Sequence, residues 1–171
     1  VQTISGTSTV GSAVTMKAEL TISGDTLTVK LSNESTQSLA PNDVLSSYYF
    51  DIIKNGVRPT LTYVSAVGDV WLTSKTATDT LQTANADLLA DTAGDYSWQF
   101  KTFDPSQIPG LGFGVGTVGN SNLSPNNFNG NIVDGMDYSI YAGDVSTSNL
   151  KDKLMVKGPI VFTFTGLTGY S

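Results

Sequence analysis

The clearest pattern in the chain is a period-two alternation of apolar and polar residues, which places one set of side chains on a buried face. It begins with Val14-Thr15-Met16-Lys17-Ala18-Glu19-Leu20-Thr21-Ile22, breaks at Ser23-Gly24-Asp25 and resumes over Leu27-Thr28-Val29-Lys30-Leu31. Two alternating runs joined by a short Gly-containing turn predict a β-hairpin. Tyr48-Tyr49-Phe50-Asp51-Ile52-Ile53, rich in aromatic and β-branched residues, predicts another strand, and Asn55-Gly56 turns the chain after it. Leu61 to Val67 alternates again, with Trp71 and Leu72 beginning or extending a further strand. Tyr96 to Lys101, Tyr138 to Tyr141 and the apolar Pro159-Ile160-Val161-Phe162-Thr163-Phe164-Thr165 supply the remaining strands.

Two segments depart from that rhythm. From Asp79 to Leu89, Leu81, Ala84, Leu88 and Leu89 fall on one face of a 3.6-residue period with Asp79 placed to cap it, which predicts one short helix. The glycine-rich Gly110-Leu111-Gly112-Phe113-Gly114-Val115-Gly116 leads into an Asn-rich stretch from Asn120 to Asn131, together a long Gly/Asn-rich loop. No fixed-period repeat and no dividing linker interrupts the sequence. The expectation is an all-β fold: one domain over 1–171, a single antiparallel β-sandwich, jelly-roll or Ig-like, of roughly eight to ten strands.

Several segments, taken in order, resemble the exosortase-dependent (PEP-CTERM) bacterial surface proteins. They are Gly24 to Ser35 followed by Asp43-Val44-Leu45 and Phe50-Asp51-Ile52; Gly94-Asp95-Tyr96-Ser97-Trp98; Gly110-Leu111-Gly112; Asp134-Gly135-Met136-Asp137-Tyr138-Ser139-Ile140 with Ala142-Gly143-Asp144; and Val161 to Leu167. The resemblance implies a secreted, β-rich, exopolymer-associated protein of the cell surface or biofilm matrix. The family's secretion signal and its Pro-Glu-Pro tail do not occur in the sequence. A chain beginning at Val1 reads as a mature, processed form or a trimmed one.

Composition narrows the chemistry. Histidine and cysteine are absent, which removes imidazole bases, thiol nucleophiles and the usual transition-metal ligands together. Net charge is −6 with a single arginine, Arg58, so a phosphate-tracking surface is not expected and nucleic acid is not an expected partner. No apolar run approaches the ~20 residues of a membrane-spanning helix. Glycosidase chemistry needs two carboxylates, yet Glu occurs only at Glu19 and Glu34, and Glu19 alternates outward. Asp91-Thr92-Ala93-Gly94 lacks the order of the aspartic-protease motif and reads as a loop. The expectation is a protein that is not an enzyme and holds no cofactor.

Remaining candidates are binding features, each with a plainer reading beside it. Asp134, Asp137 and Asp144, near Asn129 and Asn131, offer hard oxygen ligands for calcium, though Asp and Asn are also the ordinary residues of turns. Trp98 is in phase with Tyr96 and Phe100 and belongs to the core, whereas Trp71, between Asp69 and Lys75, is the candidate glycan contact of a carbohydrate-binding module for extracellular polysaccharide. Asn33-Glu34-Ser35 and Asn122-Leu123-Ser124 fit the glycosylation pattern, which in a bacterial chain is ordinary coincidence. Lys17 and Lys30 read as outward-facing lysines on neighbouring strands, with a Lys–Asn crosslink as the sharper alternative.

The N-terminal segment suggests self-association. Residues 1–10 carry Val1, Thr3 and Ile4 ahead of the first firm strand and read as an extended segment, either paired within its own domain or exchanged onto a neighbour's sheet. Donor and acceptor surfaces that differ propagate into a filament instead of closing into a dimer. The expected partners are other copies of the chain and, second, extracellular polysaccharide.

Overall fold

The structure, a computed structural model, describes residues 2–7, 13–74, 77–89, 98–104, 110–117, 137–143, 145 and 150–170. Its elements in chain order are β1 (Gln2–Thr7), β2 (Ala13–Ser23), β3 (Thr26–Asn33), β4 (Ser47–Phe50), β5 (Thr62–Leu72), β6 (Thr80–Asp87), β7 (Gln99–Thr102), β8 (Phe113–Gly116), β9 (Ile140–Tyr141), β10 (Leu154–Lys157) and β11 (Ile160–Thr165). Among the described residues the only helical piece is a single 3-10 turn at Pro41–Asp43. There the Asp43 carboxylate accepts the Leu39 and Ala40 backbone N–H groups.

The expected hairpin forms as read. β2 and β3 run in antiparallel register from Met16↔Asn33 to Ser23↔Thr26, closed by a two-residue turn at Gly24 and Asp25. Gly24 sits at φ +60, a conformation that costs glycine little. β3 then pairs with β11, and β11 with β5. Val70, Trp71 and Leu72 of β5 pair with both β10 and β6, while Val67 pairs with both β11 and β6. Consequently β10 continues the line of β11 along one side of β5, and β6 covers the other. The large sheet therefore runs from β1 at one margin to β6 at the opposite one. A second sheet of three strands, β4-β8-β7, lies across it.

The two sheets pack as a sandwich. Leu27, Val29 and Leu31 of β3 and Ile160, Phe162 and Phe164 of β11 are all fully buried, as alternation demands. Phe164 meets Phe50 and Phe100 of the small sheet, with ring centres 6.2 and 4.9 Å apart. These inter-sheet aromatic contacts define the centre of the core. No helix of the described residues is long and apolar enough to cross a membrane.

Three features differ from expectation. The segment from Asp79 to Leu89 is the edge strand β6, not a helix: Leu81 is 46% exposed and Ala84 is exposed, leaving Leu88 as the residue that reaches the core. Its four-residue spacing is incidental, because pairing along the long β5 outweighs the weak local preference for helix. The Asp79 carboxylate, expected at a helix cap, is buried and used in a tertiary contact. The glycine-rich stretch is not all loop, since Phe113–Gly116 is the fully buried central strand of the small sheet. Its Gly114 and Gly116 leave room beside Tyr49 and Ser47, their partners on β4. Residues 118–136, with the rest of the Asn-rich stretch, lie outside the described residues. Finally, the large sheet is mixed, because β9 pairs parallel to β10.

Candidate assembly edge and adjoining groove

β1 has one partner among the described strands. Its six residues pair antiparallel with β2, from Gln2↔Ala18 to Thr7↔Ala13, without a bulge. It carries neither proline nor charge, and the first charged residue of the whole chain is Lys17. The opposite margin is built differently. β6 pairs with β5 through two register irregularities, and Asn85, at φ +51, donates its backbone N–H to the Asp69 carboxylate. Bulges of this kind twist an edge away from further pairing, whereas a regular uncharged strand leaves its main-chain groups available. Of the expected assembly residues, Thr3 and Ile4 lie on this strand opposite Lys17 and Met16, and Val1 lies outside the described residues.

Charge on the adjoining strands faces outward. Glu19 lies between Lys17 at 3.4 Å and Lys30 at 3.3 Å, and Lys17 also reaches Glu34 at 3.5 Å. A hydrogen bond from Lys30, joined by Lys17, holds the Glu19 carboxyl below the usual carboxylate range, and the Glu19 hydrogen bond raises Lys17. These lysines serve an ion-pair network across the β2–β3 ladder.

On the inner side the same strands border a groove. About 310 Å³ in volume, it is walled by Met16 and Ala18 of β2, Leu31 of β3, Leu45, Tyr48 of β4 and Leu111. It exists because the small sheet stops at β4. The inner-facing residues of β3 are fully buried, but along β2 burial declines from Ala18 at 5% exposed to Ile22 at 39%.

No protein family, curated protein sequence or solved structure matches this chain.

The remaining candidates fall in separate places. Trp98 is 1% exposed, donates its indole N–H to the Tyr138 carbonyl at 2.9 Å and meets Phe162 edge-on. Trp71 is half-buried beside Tyr141, Val145, Leu150 and Met155, with the Lys157 ammonium 5.3 Å from its ring centre. A sugar stacks on a bare ring face, and here a cation lies over the ring. Asp137 sits in the turn before β9, while Asp134 and Asp144 lie outside the described residues, as does Asp91-Thr92-Ala93-Gly94. Among the described residues no three carboxylates gather. Asn33 of the glycosylation pattern is engaged in the fold: its amide donates to the Asp43 carbonyl at 2.7 Å and its side-chain oxygen accepts the Ser35 N–H.

One polar cluster had no periodic signal in the sequence. Asp79, with its side chain 1% exposed, accepts the Tyr141 hydroxyl at 2.9 Å and the Ser74 N–H at 3.0 Å, and Lys157 stands 3.8 Å away. The cluster ties the start of β6 to β9 and β10. Its members are satisfied by one another, which suits a structural tie better than a reactive site.

The Gly24-Asp25 turn is held to the far end of the chain. The Asp25 carboxylate accepts the Thr168 hydroxyl at 2.6 Å and the Thr168 N–H at 2.7 Å, and these bonds, the hydroxyl's first, lower its pKa from the ordinary aspartate value. A depressed carboxylate stabilises the fold above the unfolded-state pKa, and that contribution disappears as pH falls through the folded value. Thermal melts should therefore show stability declining below about pH 4, with a shallower decline in Asp25→Asn. An equally steep decline in that variant would remove Asp25 from the account.

Proposed function

We propose that this is a non-catalytic structural protein of the cell surface or extracellular matrix, which assembles with copies of itself by strand addition at its N-terminal edge. The observation that carries the reading is β1: a regular, uncharged, proline-free strand at the margin of the large sheet, held by one ladder, while the opposite margin is bulged. The absence of histidine and cysteine supports the non-catalytic part, and the resemblance to exosortase-dependent surface proteins supports the location. Main-chain pairing gives such a contact its affinity, and different donor and acceptor surfaces make it propagate.

Electron microscopy of the purified chain beside a copy lacking residues 1–10 tests the reading. Filaments from the full chain that vanish on deletion, with the β-sheet circular dichroism retained, are the expected result. Monomers from both, measured up to high concentration, would overturn it.

A further inference from the structure

We propose that Lys157 and Asp79 join in a covalent amide cross-link, made once per molecule after folding, which fastens β10 to the segment leading into β6. The inference goes beyond the assembly reading and does not depend on it.

Among the described residues this pair differs from the other lysine ion pairs in its carboxylate. Lys17 and Lys30 meet Glu19 and Glu34, whose side chains are 28% and 46% exposed, whereas the Asp79 side chain is 1% exposed. Lys157 Nζ stands 3.8 Å from Asp79 Oδ2 and lies over the rings of Trp71 and Tyr141, 5.3 and 5.6 Å from their centres. Val145, Leu150 and Met155 pack with the same two rings. The aromatic faces hold the amine beside the carboxyl, and the apolar surroundings keep out the water that would hydrolyse a product. Side by side in one molecule, well-aligned groups react as if at an effective concentration on the order of 10⁵ M or more.

Each carboxylate oxygen has its own donor. The Ser74 N–H donates to Oδ1 at 3.0 Å, and the Tyr141 hydroxyl donates to Oδ2 at 2.9 Å. One proton passes from the ammonium to the carboxylate, giving a neutral amine beside a carboxylic acid. A short swing of the partly exposed lysine side chain brings Nζ onto Cγ, and its lone pair attacks there. The charge that develops on Oδ1 is met by the Ser74 N–H. The Tyr141 hydroxyl gives its proton to the departing Oδ2 and takes one from Nζ in return. The C–N bond forms, the Cγ–Oδ2 bond breaks, and ammonium plus carboxylate has become amide plus one water. No oxidant, cofactor or second molecule enters. The cluster acts on no substrate, because the reacting groups are its own members and the product is a stronger form of the same tie.

Such a bond suits this sequence. The chain has no cysteine, so a disulfide is not open to it. The amide closes residues 79–157 into one loop, which contains β7 and β8, two of the three strands of the small sheet. Closing so long a loop restricts the unfolded chain, as a disulfide does.

Mass spectrometry of the purified, denatured chain provides the test. The expected mass is one water below that of the sequence. Tryptic digestion should spare the Lys157–Gly158 bond and yield residues 76–101 joined to 154–171. A chain of full sequence mass, or a deficit that maps elsewhere, such as to ring closure at Asp134-Gly135, would overturn the cross-link. Lys157→Arg keeps the cation and should return to its full sequence mass; a persisting deficit would also overturn the proposal. If that variant does not fold, the peptide map of the unaltered chain decides alone. Tyr141→Phe, with its β-sheet dichroism intact, should leave most of the chain unjoined, and complete joining would overturn the part given to the Tyr141 hydroxyl.

Discussion

Gly166→Ala is expected to cost this protein more than the same change at Gly68, Gly112 or Gly143, where an added Cβ would also be crowded. Gly166 follows β11 at φ +110, a backbone conformation that residues with a Cβ rarely adopt, and a Cβ there would meet the Thr60 carbonyl oxygen closer than any real contact allows. The clash cannot relax through a flexible side chain, because the obstacle is main chain and the next residue, Leu167, is fully buried. Strain and overpacking together should destabilise by roughly 3 kcal/mol, lowering Tm by about 6–12 °C. Gly169→Ala is the matched control, since it also has positive φ but nothing within 4 Å of the added carbon. Equal melting curves for the two variants would show that the Thr60 contact contributes nothing.

Trp98→Ala should have the second large effect. The indole is buried against Phe162, its N–H is used by the Tyr138 carbonyl, and the Trp98 backbone carbonyl accepts the Tyr63 hydroxyl at 3.0 Å. Burial pushes the Tyr63 phenol well above its ordinary pKa, with the Asp87 charge adding to it. Truncating a buried tryptophan typically costs about 3–5 kcal/mol. Trp98→Phe, which keeps most of the volume and loses the N–H, should fall between the two. Only two tryptophans are present, so Trp71→Phe isolates the Trp98 emission. That emission should be blue-shifted when folded and move red on unfolding in urea; a spectrum already red-shifted in the folded chain would contradict its burial.

Much of the sandwich was legible because burial and local pattern agree. β3 and β11 alternate with one face in the core, the β2–β3 hairpin and the aromatic strand at Tyr48 form where the apolar pattern places them, and the Gly24 and Asn55-Gly56 turns fall at residues able to take positive φ. Trp98 followed from being in phase with Phe100. β6 was misread because it is an edge strand exposed on both faces, so no alternation marks it, and the spacing of Leu81, Ala84 and Leu88 imitated a helix. β8 was misread as loop because glycine at alternate positions looks like flexibility, although here it lets a central strand pack closely between β4 and β7. The pairing of the short β10 with β5 and the contacts of Asp79 with Tyr141 and Lys157 join residues 62 or more positions apart, which no local pattern carries. The N-terminal strand was legible as an extended segment, but the groove beside it was not. A groove arises from the mismatch in width between two sheets, and sheet width is a property of topology.

The placement of the two terminal strands also sets how the molecule would bear tension. β11 lies between β3 and β5, so a pull from the C-terminal side loads two ladders together, of six and five residue pairs. β1 hangs from one ladder of six pairs at the sheet margin. A pull on the N-terminal side would therefore peel β1 from β2 first, while the β3–β11–β5 centre of the sandwich stays paired.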